Sequence, residues 1–453
     1  MAIWNEVLLS VVEQSGRTDA EYFKPSYLEA LSLLAGHKVQ ALSSLAGITD
    51  GIHASPEVAE NGIRYISAKC VKPNGFAIDD CIEITERQNE CNPRTQLRVG
   101  DVIITTVGTI GNVAVVEQEI TPSNCDRHVG IIRVFDPKSV SPFYLSTFLN
   151  SRYGLFQSLR ESAGNVQLNL YVKSIGKIVI PRLKQIESEV AEATKLAYAT
   201  RSESMLFYSE AEHLLESELG LGALIAENPT AYTASASELE SSRRIDAEYY
   251  DPAARSIIKR ISALSHTRVR DSFDVKSGIP WNSAKFLPDG SGEPVVRIRN
   301  IKPSHIVPDE LTSIQPSYAN SMGFSKAQKG DFVVGMDGIR YFYASLLQGA
   351  CFVNQRVCHL SPRPTNKVSA EYAVFIINSV VGQAQLMRDM TVATTVGHIT
   401  NRDVAKLVIP MISPSFHDHI TELIRKSIAC KEESKRLLAW AKDRVEQIIE
   451  EPL

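Results

Sequence analysis

The stretch VVRIRNIKP brings Arg297, Arg299, Asn300 and Lys302 close together in the chain. Guanidinium and amide groups of this kind suit the edges of guanine and adenine, and an ammonium suits a phosphate. Apolar Val296, Ile298 and Ile301 alternate with polar Arg297, Arg299 and Asn300, which predicts a strand with one polar face. Such a face is most often merely solvated, so composition alone does not decide for nucleic acid.

Catalysis would need other constellations, and the sequence lacks them. An amino-methyltransferase needs an Asn/Asp-Pro-Pro-aromatic loop to hold a flipped base, whereas NPRT at Asn92 and DPAA at Asp251 lack the second proline and the aromatic. VGTIG from Val107 is no phosphate cradle, because GxGxxG and a P-loop lysine are absent and no helix pattern follows; it reads as a strand-to-strand turn. The spacing Glu433-Ser434-Lys435 is the nearest approach to a nuclease carboxylate-lysine set, but it sits in a helical pattern and reads as a solvated face. HExxH and GxSxG do not occur. No enzyme, metal or cofactor is expected.

The elements that would carry such recognition groups occur twice. RTDAEYFKP from Arg17 to Pro25 returns as RIDAEYYDP from Arg244 to Pro252, a shift of 244 − 17 = 227 residues in a chain of 453. Each copy continues in step. A helical pattern opens behind proline, at Tyr27, Leu28, Leu31 and Leu34 and again at Ile257, Ile258, Ile261 and Leu264. Gly100 and Asp101 match Gly330 and Asp331, and Gly108 matches Gly338. An amphipathic helix follows, in which Tyr144, Asn150, Gly154, Gln157 and Arg160 match Tyr372, Asn378, Gly382, Gln385 and Arg388. A polar loop then leads to KIVIP or KLVIP. Those loops lack apolar periodicity and are natural carriers of recognition residues; for His398 a structural role is the better reading.

Beyond each Ile-Pro, residues 182–222 and 411–450 are long helical patterns with few breakers. At ~1.5 Å per residue each makes a rod of roughly 60 Å. Small residues midway, Ala197, Thr200 and Ser204 against Ala429, Cys430 and Ser434, would let two helices approach closely. The expected organisation is 1–181, a globular domain; 182–222, a spacer helix; 223–236, a linker; 237–410, a second globular domain; and 411–453, a second spacer helix. The fold class is α+β, with two repeated α/β domains separated by two long antiparallel coiled-coil helices in a pseudo-twofold arrangement.

Bulk composition fits this. Hydrophobic residues make up 44% and charged residues 22%, ordinary for globular domains. The seven cysteines include no CxxC pair, so neither a zinc site nor a disulfide framework is expected. No apolar run reaches the roughly 18 residues of a membrane span, and a cytoplasmic location is the default. A net charge of −4 calls for local basic patches, or a more basic partner, if DNA is bound.

Taken together, RxDAEYxxP, RIRNIKP, the GD-strand-GTIG loop, the VIP that ends each globule and the helical spacer after each copy resemble the DNA-specificity (S) subunit of type I restriction-modification enzymes. The resemblance covers essentially the whole chain, twice over. It implies two target-recognition domains, each reading one half of a bipartite, asymmetric site in double-stranded DNA. It also implies helices that set the spacing and dock DNA methyltransferase subunits, two per chain, usually with a nuclease-translocase subunit. The chain itself would be non-catalytic. Related phage-defence systems use similar subunits with other effectors; a self-contained DNA-modifying enzyme and a protein-binding solenoid are the rival readings, neither favoured by the residues.

On this reading Lys69, Lys72, Lys302 and Arg299 hold phosphates. Arg127, Asn165 and Gln167 in the first domain, with Arg297, Asn300, Arg340 and Arg356 in the second, face base edges. Asp19, Glu21, Asp246 and Glu248 are alike in both copies and are expected to belong to a shared frame.

Overall fold

Each copy of the repeat opens on a helix that ends in a left-handed residue. Leu9–Ser15 closes on Gly16 with φ +63°, and Ala236–Ser242 closes on Arg243 with φ +55°. The shift of 243 − 16 = 227 is that of the RxDAEY signature, so the duplication begins one helix earlier than the residues reveal. The signature then forms a 3-10 turn, Ala20–Phe23 or Ala247–Tyr250, and proline starts the helix Pro25–Ala35 or Pro252–Ser262. A missing N–H costs nothing at a first helical position. The computed structural model describes residues 5–164, 167–222, 231–287, 290–303, 305–306, 311–339, 341–364, 366–393 and 396–451.

Two compact units result. The first comprises Met1–Ser202 and Cys430–Leu453, and the second Glu203–Ala429. The central sheet of the first has the antiparallel order Ala46–Asp50, Val129–Val134, Val102–Thr105, Val113–Val115. The second unit repeats it with Phe273–Ser277, Val357–Pro362, Phe332–Gly335 and Ala344–Leu346. Val102–Thr105 and Phe332–Gly335 are buried along their whole length because both faces of the sheet are covered there. Val102 and Ile104 enter one core with Tyr144, Phe148 and Ile180, while Ile103 enters another with Ile66, Val71 and Ile131. Phe332 and Val334 likewise part from Val333. The two-residue period of a strand thus divides each unit between two cores.

Polar residues matched between the copies make the same internal bonds twice. The hydroxyls of Tyr144 and Tyr372 donate to the Pro181 and Pro410 carbonyls at 2.6 and 2.8 Å. Asn150 both accepts from and donates to the backbone of Val113, and Asn378 does so with Ala344. Gln157 grips Val179, and Gln385 grips Val408, in the same two-point manner. The repeated Ile-Pro ends are strands that pair with Val39–Ala41 and His266–Arg268. Cβ atoms on Gly154 or Gly382 would fall 2.4 Å from backbone atoms of the preceding helix.

The signature arginines are part of this frame. Arg17 pairs with Asp19 through two nitrogens and donates to the Ser162 carbonyl at 3.0 Å. Arg244 pairs with Asp246 in the same way and donates to the Asp389 and Met390 carbonyls. Each guanidinium closes the C-terminus of a helix, Arg152–Glu161 or Val380–Asp389, whose last carbonyls lack helical partners. Glu21 pairs with Lys24, and Glu248 is exposed.

Glu187–Leu219 and Pro414–Glu450 are the long helices. In the first unit the Ser434 hydroxyl donates to the Ala197 carbonyl at 2.6 Å; in the second, Ser204 and Ser427 exchange hydroxyl-to-carbonyl bonds at 2.7 and 2.8 Å. Small residues at these positions let the backbones meet. Among the described residues no helix is long and apolar enough to cross a membrane.

Two local expectations change. The strand through VVRIRNI stops at Val296, because Asn300 Oδ1 accepts from the Arg297 N–H at 2.8 Å and winds Ile298–Asn300 into a 3-10 turn. The polar loop after Asp389 holds strands Thr391–Ala393 and Val396–His398 and a helix, Asn401–Lys406, whose N-terminus is closed reciprocally by Thr400 and Asp403.

Candidate nucleic-acid interface

One end of each central sheet gathers three strand-end segments, stitched by two backbone bonds. In the first unit Thr106 N–H donates to the His128 carbonyl at 3.0 Å, and Leu170 N–H donates to the Thr106 carbonyl at 2.9 Å. In the second, Met336 N–H donates to the Arg356 carbonyl at 3.0 Å, and Ile399 N–H to the Met336 carbonyl at 2.9 Å. Arg356 is therefore the counterpart of His128, and Gln355 that of Arg127. A further bond joins a fourth segment: Asp126 N–H to Ile66 O at 3.1 Å, and Asn354 N–H to Val296 O at 2.9 Å.

On this end of the first unit lie Arg127 and Gln167, both exposed. Arg127 Nε lies 3.4 Å from His128 Nε2, and His128 is held by Asp126 through its backbone N–H at 2.9 Å and its ring Nδ1 at 3.1 Å. Burial, followed by the charge of Asp126, pushes the nearby Tyr65 phenol up to about 12. Tyr65 therefore stays protonated at neutral pH. The Gln167 carbonyl accepts from Asn169 Nδ2 at 3.2 Å, leaving the amide side chain outward. Lys69 is exposed in the turn that follows Ile66. Lys72 stands on the hairpin Val71–Lys72 and Gly75–Phe76; its Nζ donates to the Lys69 carbonyl at 2.7 Å and lies 3.5 Å from Asp80. Asn165 lies outside the described residues.

In the second unit Arg356 is exposed, with Nη1 3.6 Å from Asp337 Oδ1. His398 Nδ1 lies 2.7 Å from the same oxygen, on the strand that pairs Asp337 with His398. One carboxylate thus orients both groups. Arg297 follows Val296 directly and lies 5.4 Å over the Phe286 ring. Arg299 is exposed and donates to Thr312 Oγ1 at 3.2 Å. Lys302 is exposed on the hairpin Ile301–Lys302 and His305–Ile306, the counterpart of the Lys72 hairpin. Asn300, by contrast, is completely buried, and its side-chain oxygen is spent on the turn. Arg340 lies outside the described residues.

Two residues that composition did not single out stand on the same end. Ile339 is 71% exposed and Tyr341 56%, in the loop that joins Asp337–Gly338 to Ala344–Leu346. Exposure of an apolar side chain is a tertiary property, and nothing in GIRYF distinguishes these from core residues.

No protein-family model and no curated protein matches the chain. Solved structures do. The type I restriction-modification S subunit from M. genitalium is 10% identical, covering 91% of this chain and 94% of its own, with a TM-score of 0.43. The HsdS subunit from Thermoanaerobacter tengcongensis is 16% identical, covering 91% and 95%, with a TM-score of 0.29. The type IIG restriction endonuclease BpuSI is 11% identical over 46% of this chain and 35% of its own, with a TM-score of 0.32. The solved structures similar to 91% of this chain are S subunits of type I restriction-modification systems, at low sequence identity.

Proposed function

We propose that the chain is a non-catalytic DNA-specificity subunit whose two units each read one half of a bipartite site and direct a methyltransferase to it. The observation that carries this reading is the division of labour among the polar residues. The matched Tyr, Asn and Gln residues are consumed by internal bonds, whereas Arg127, Gln167, Arg299 and Arg356, which differ between copies, are exposed at matching sheet ends, with Arg297 half-buried among them. Two similar frames with different exposed groups suit two different half-sites; a homodimer would present identical groups and read a palindrome.

In this scheme Lys69, Lys72, Lys302 and Arg299 take phosphates, setting register. Arg127, Gln167, Arg297 and Arg356 approach base edges, each bidentate contact being worth about 1–3 kcal/mol. Asn165 and Arg340 belong to the same stretches. Asn300 shapes the turn that presents Arg297 and Arg299. A partner supplies additional positive charge, since the chain carries a net −4. That partner is a DNA methyltransferase, at two copies per chain, with or without a nuclease-translocase. The setting is cytoplasmic.

Co-purification from the native host, followed by methylation sequencing of its DNA, tests the reading. A methyltransferase recovered at two copies per chain and a methylated motif with two unlike halves are expected. A chain that binds a specific site tightly alone at ~150 mM salt would refute the need for a partner; a palindromic motif would refute the two-reader scheme.

A further inference from the structure

We propose that Ile339 and Tyr341 form an apolar wedge that enters the DNA of the second half-site and unstacks one base step there. This rests on the DNA-reading function proposed above and adds a mode of contact to it.

Both ends of the segment that carries the wedge are held. On one side, Gly338 pairs with Gly397, and a Cβ on Gly338 would meet the Tyr341 carbonyl at 2.3 Å, so this close turn requires glycine. On the other, Phe342 is 1% exposed, and Gln383 accepts from its N–H and donates to its carbonyl, both at 3.0 Å. The Tyr341 ring lies parallel to Tyr343, at 6° and 5.9 Å between centroids, and Tyr343 packs on the core around Val296 and Val333. Tyr341 is thus backed from below and open above. A wedge of this kind needs such support, since a side chain that yields cannot separate stacked bases.

Among the described residues, the corresponding connection of the first unit lacks the device. Asn150 bonds Val113 as Asn378 bonds Ala344, so the connection from Gly108 to Val113 is 113 − 108 = 5 residues against 344 − 338 = 6 from Gly338 to Ala344. Ile110 in the shorter loop is buried, and Leu155 stands at the position of Gln383. A partner protein bound alike by both copies would use what the copies share. In the first unit the exposed apolar side chains at the stitched end, Leu168 and Tyr171, stand on a different segment. An apolar projection that differs between the copies, on the same stitched end as Arg356 and Arg297, suits the ligand that differs between them, which is the half-site sequence.

The test uses the chain with its co-purified partner subunits and a duplex carrying 2-aminopurine at successive steps of the second half-site, once methylation sequencing has located it. Binding is expected to raise fluorescence at one step. Tyr341→Ala with Ile339→Ser should abolish the rise and weaken binding through that half-site roughly tenfold or more, as loss of a stacking side chain does. Tyr341→Phe should retain both. Protection of the first half-site by the variant shows that it is folded. Unchanged fluorescence and affinity in the variant overturn the wedge, as does loss of the protein partner with DNA binding intact. Absence of any sequence-specific binding by the wild-type complex overturns the proposed function itself.

Discussion

Asp101 and Arg133 form a two-point ion pair in the first unit, Oδ1 to Nε at 2.8 Å and Oδ2 to Nη2 at 2.7 Å, with the carboxylate 2% exposed. The second unit places Asp331 at the same turn but pairs it with His359 at 2.7 Å, from a different rung of the neighbouring strand. In both, the aspartate also accepts from the backbone three residues earlier, Arg98 or Gln328, and so closes the turn at Gly100 or Gly330, where φ is near +90°. Removing one member of a buried charge pair strands the other. Asp101→Asn should therefore cost about 3 kcal/mol of unfolding free energy. Asp331→Asn should cost less, because a neutral imidazole can still donate to the amide oxygen. Urea unfolding of both variants checks the asymmetry.

Arg244→Ala should lower stability by about 1–3 kcal/mol, since charge-assisted bonds to Asp246 and to the helix-end carbonyls of Asp389 and Met390 are lost together. Lysine should not rescue it, because an ammonium cannot reproduce the fork. Calorimetry reads the change in Tm, and the methylated sequence should stay the same in both halves. A change of sequence preference would contradict the frame role.

Glu117 carries a pH dependence. Burial first, then the charge of Glu119, raises its carboxyl to about 7, against the opposing pull of Arg201 at 3.5 Å. A folded value above the unfolded 4.5 means that the contribution to stability is fully present below about 4.5 and is lost as pH rises through about 7. Glu117→Gln should flatten this fall between about pH 4.5 and about pH 7, the limits set by that pKa interval. Urea midpoints across the range provide the measurement.

Phosphate and base contacts should separate by salt. Lys302→Ala should weaken all DNA sequences alike and reduce the salt slope by about 1. Arg356→Ala should cost about 1–3 kcal/mol at the second half-site and relax its sequence preference. Equal losses at both half-sites for Arg356→Ala would contradict the two-reader scheme. Because Asp337 holds Arg356 and His398 together, Asp337→Ala should produce a similar half-site defect without removing a cation.

The duplication, the two long helices and the apolar strands behind Asp101 and Asp331 were legible in the residues, because periodicity and repetition are local along the chain. The matched Tyr, Asn and Gln residues were legible as important but not as to their role. Their partners, such as Pro181, Ala344 or Val179, lie 22 to 38 residues away in sequence, and only the folded chain brings them within hydrogen-bond reach. Asn300 shows the converse. Its chemistry suits adenine, yet a turn three residues long takes its oxygen inward.

The sequence by itself determined that one α+β unit is written twice, with shared and unshared stretches, because a repeat is a property of residue order. Tertiary structure alone decided which unshared residues stand together. Arg127 and Gln167, and likewise Arg356, Arg297, His398 and Tyr341, come from separate segments that backbone bonds gather at one sheet end. Burial sorted them, hiding Asn300 and exposing Ile339, since exposure depends on what packs over a side chain rather than on its kind.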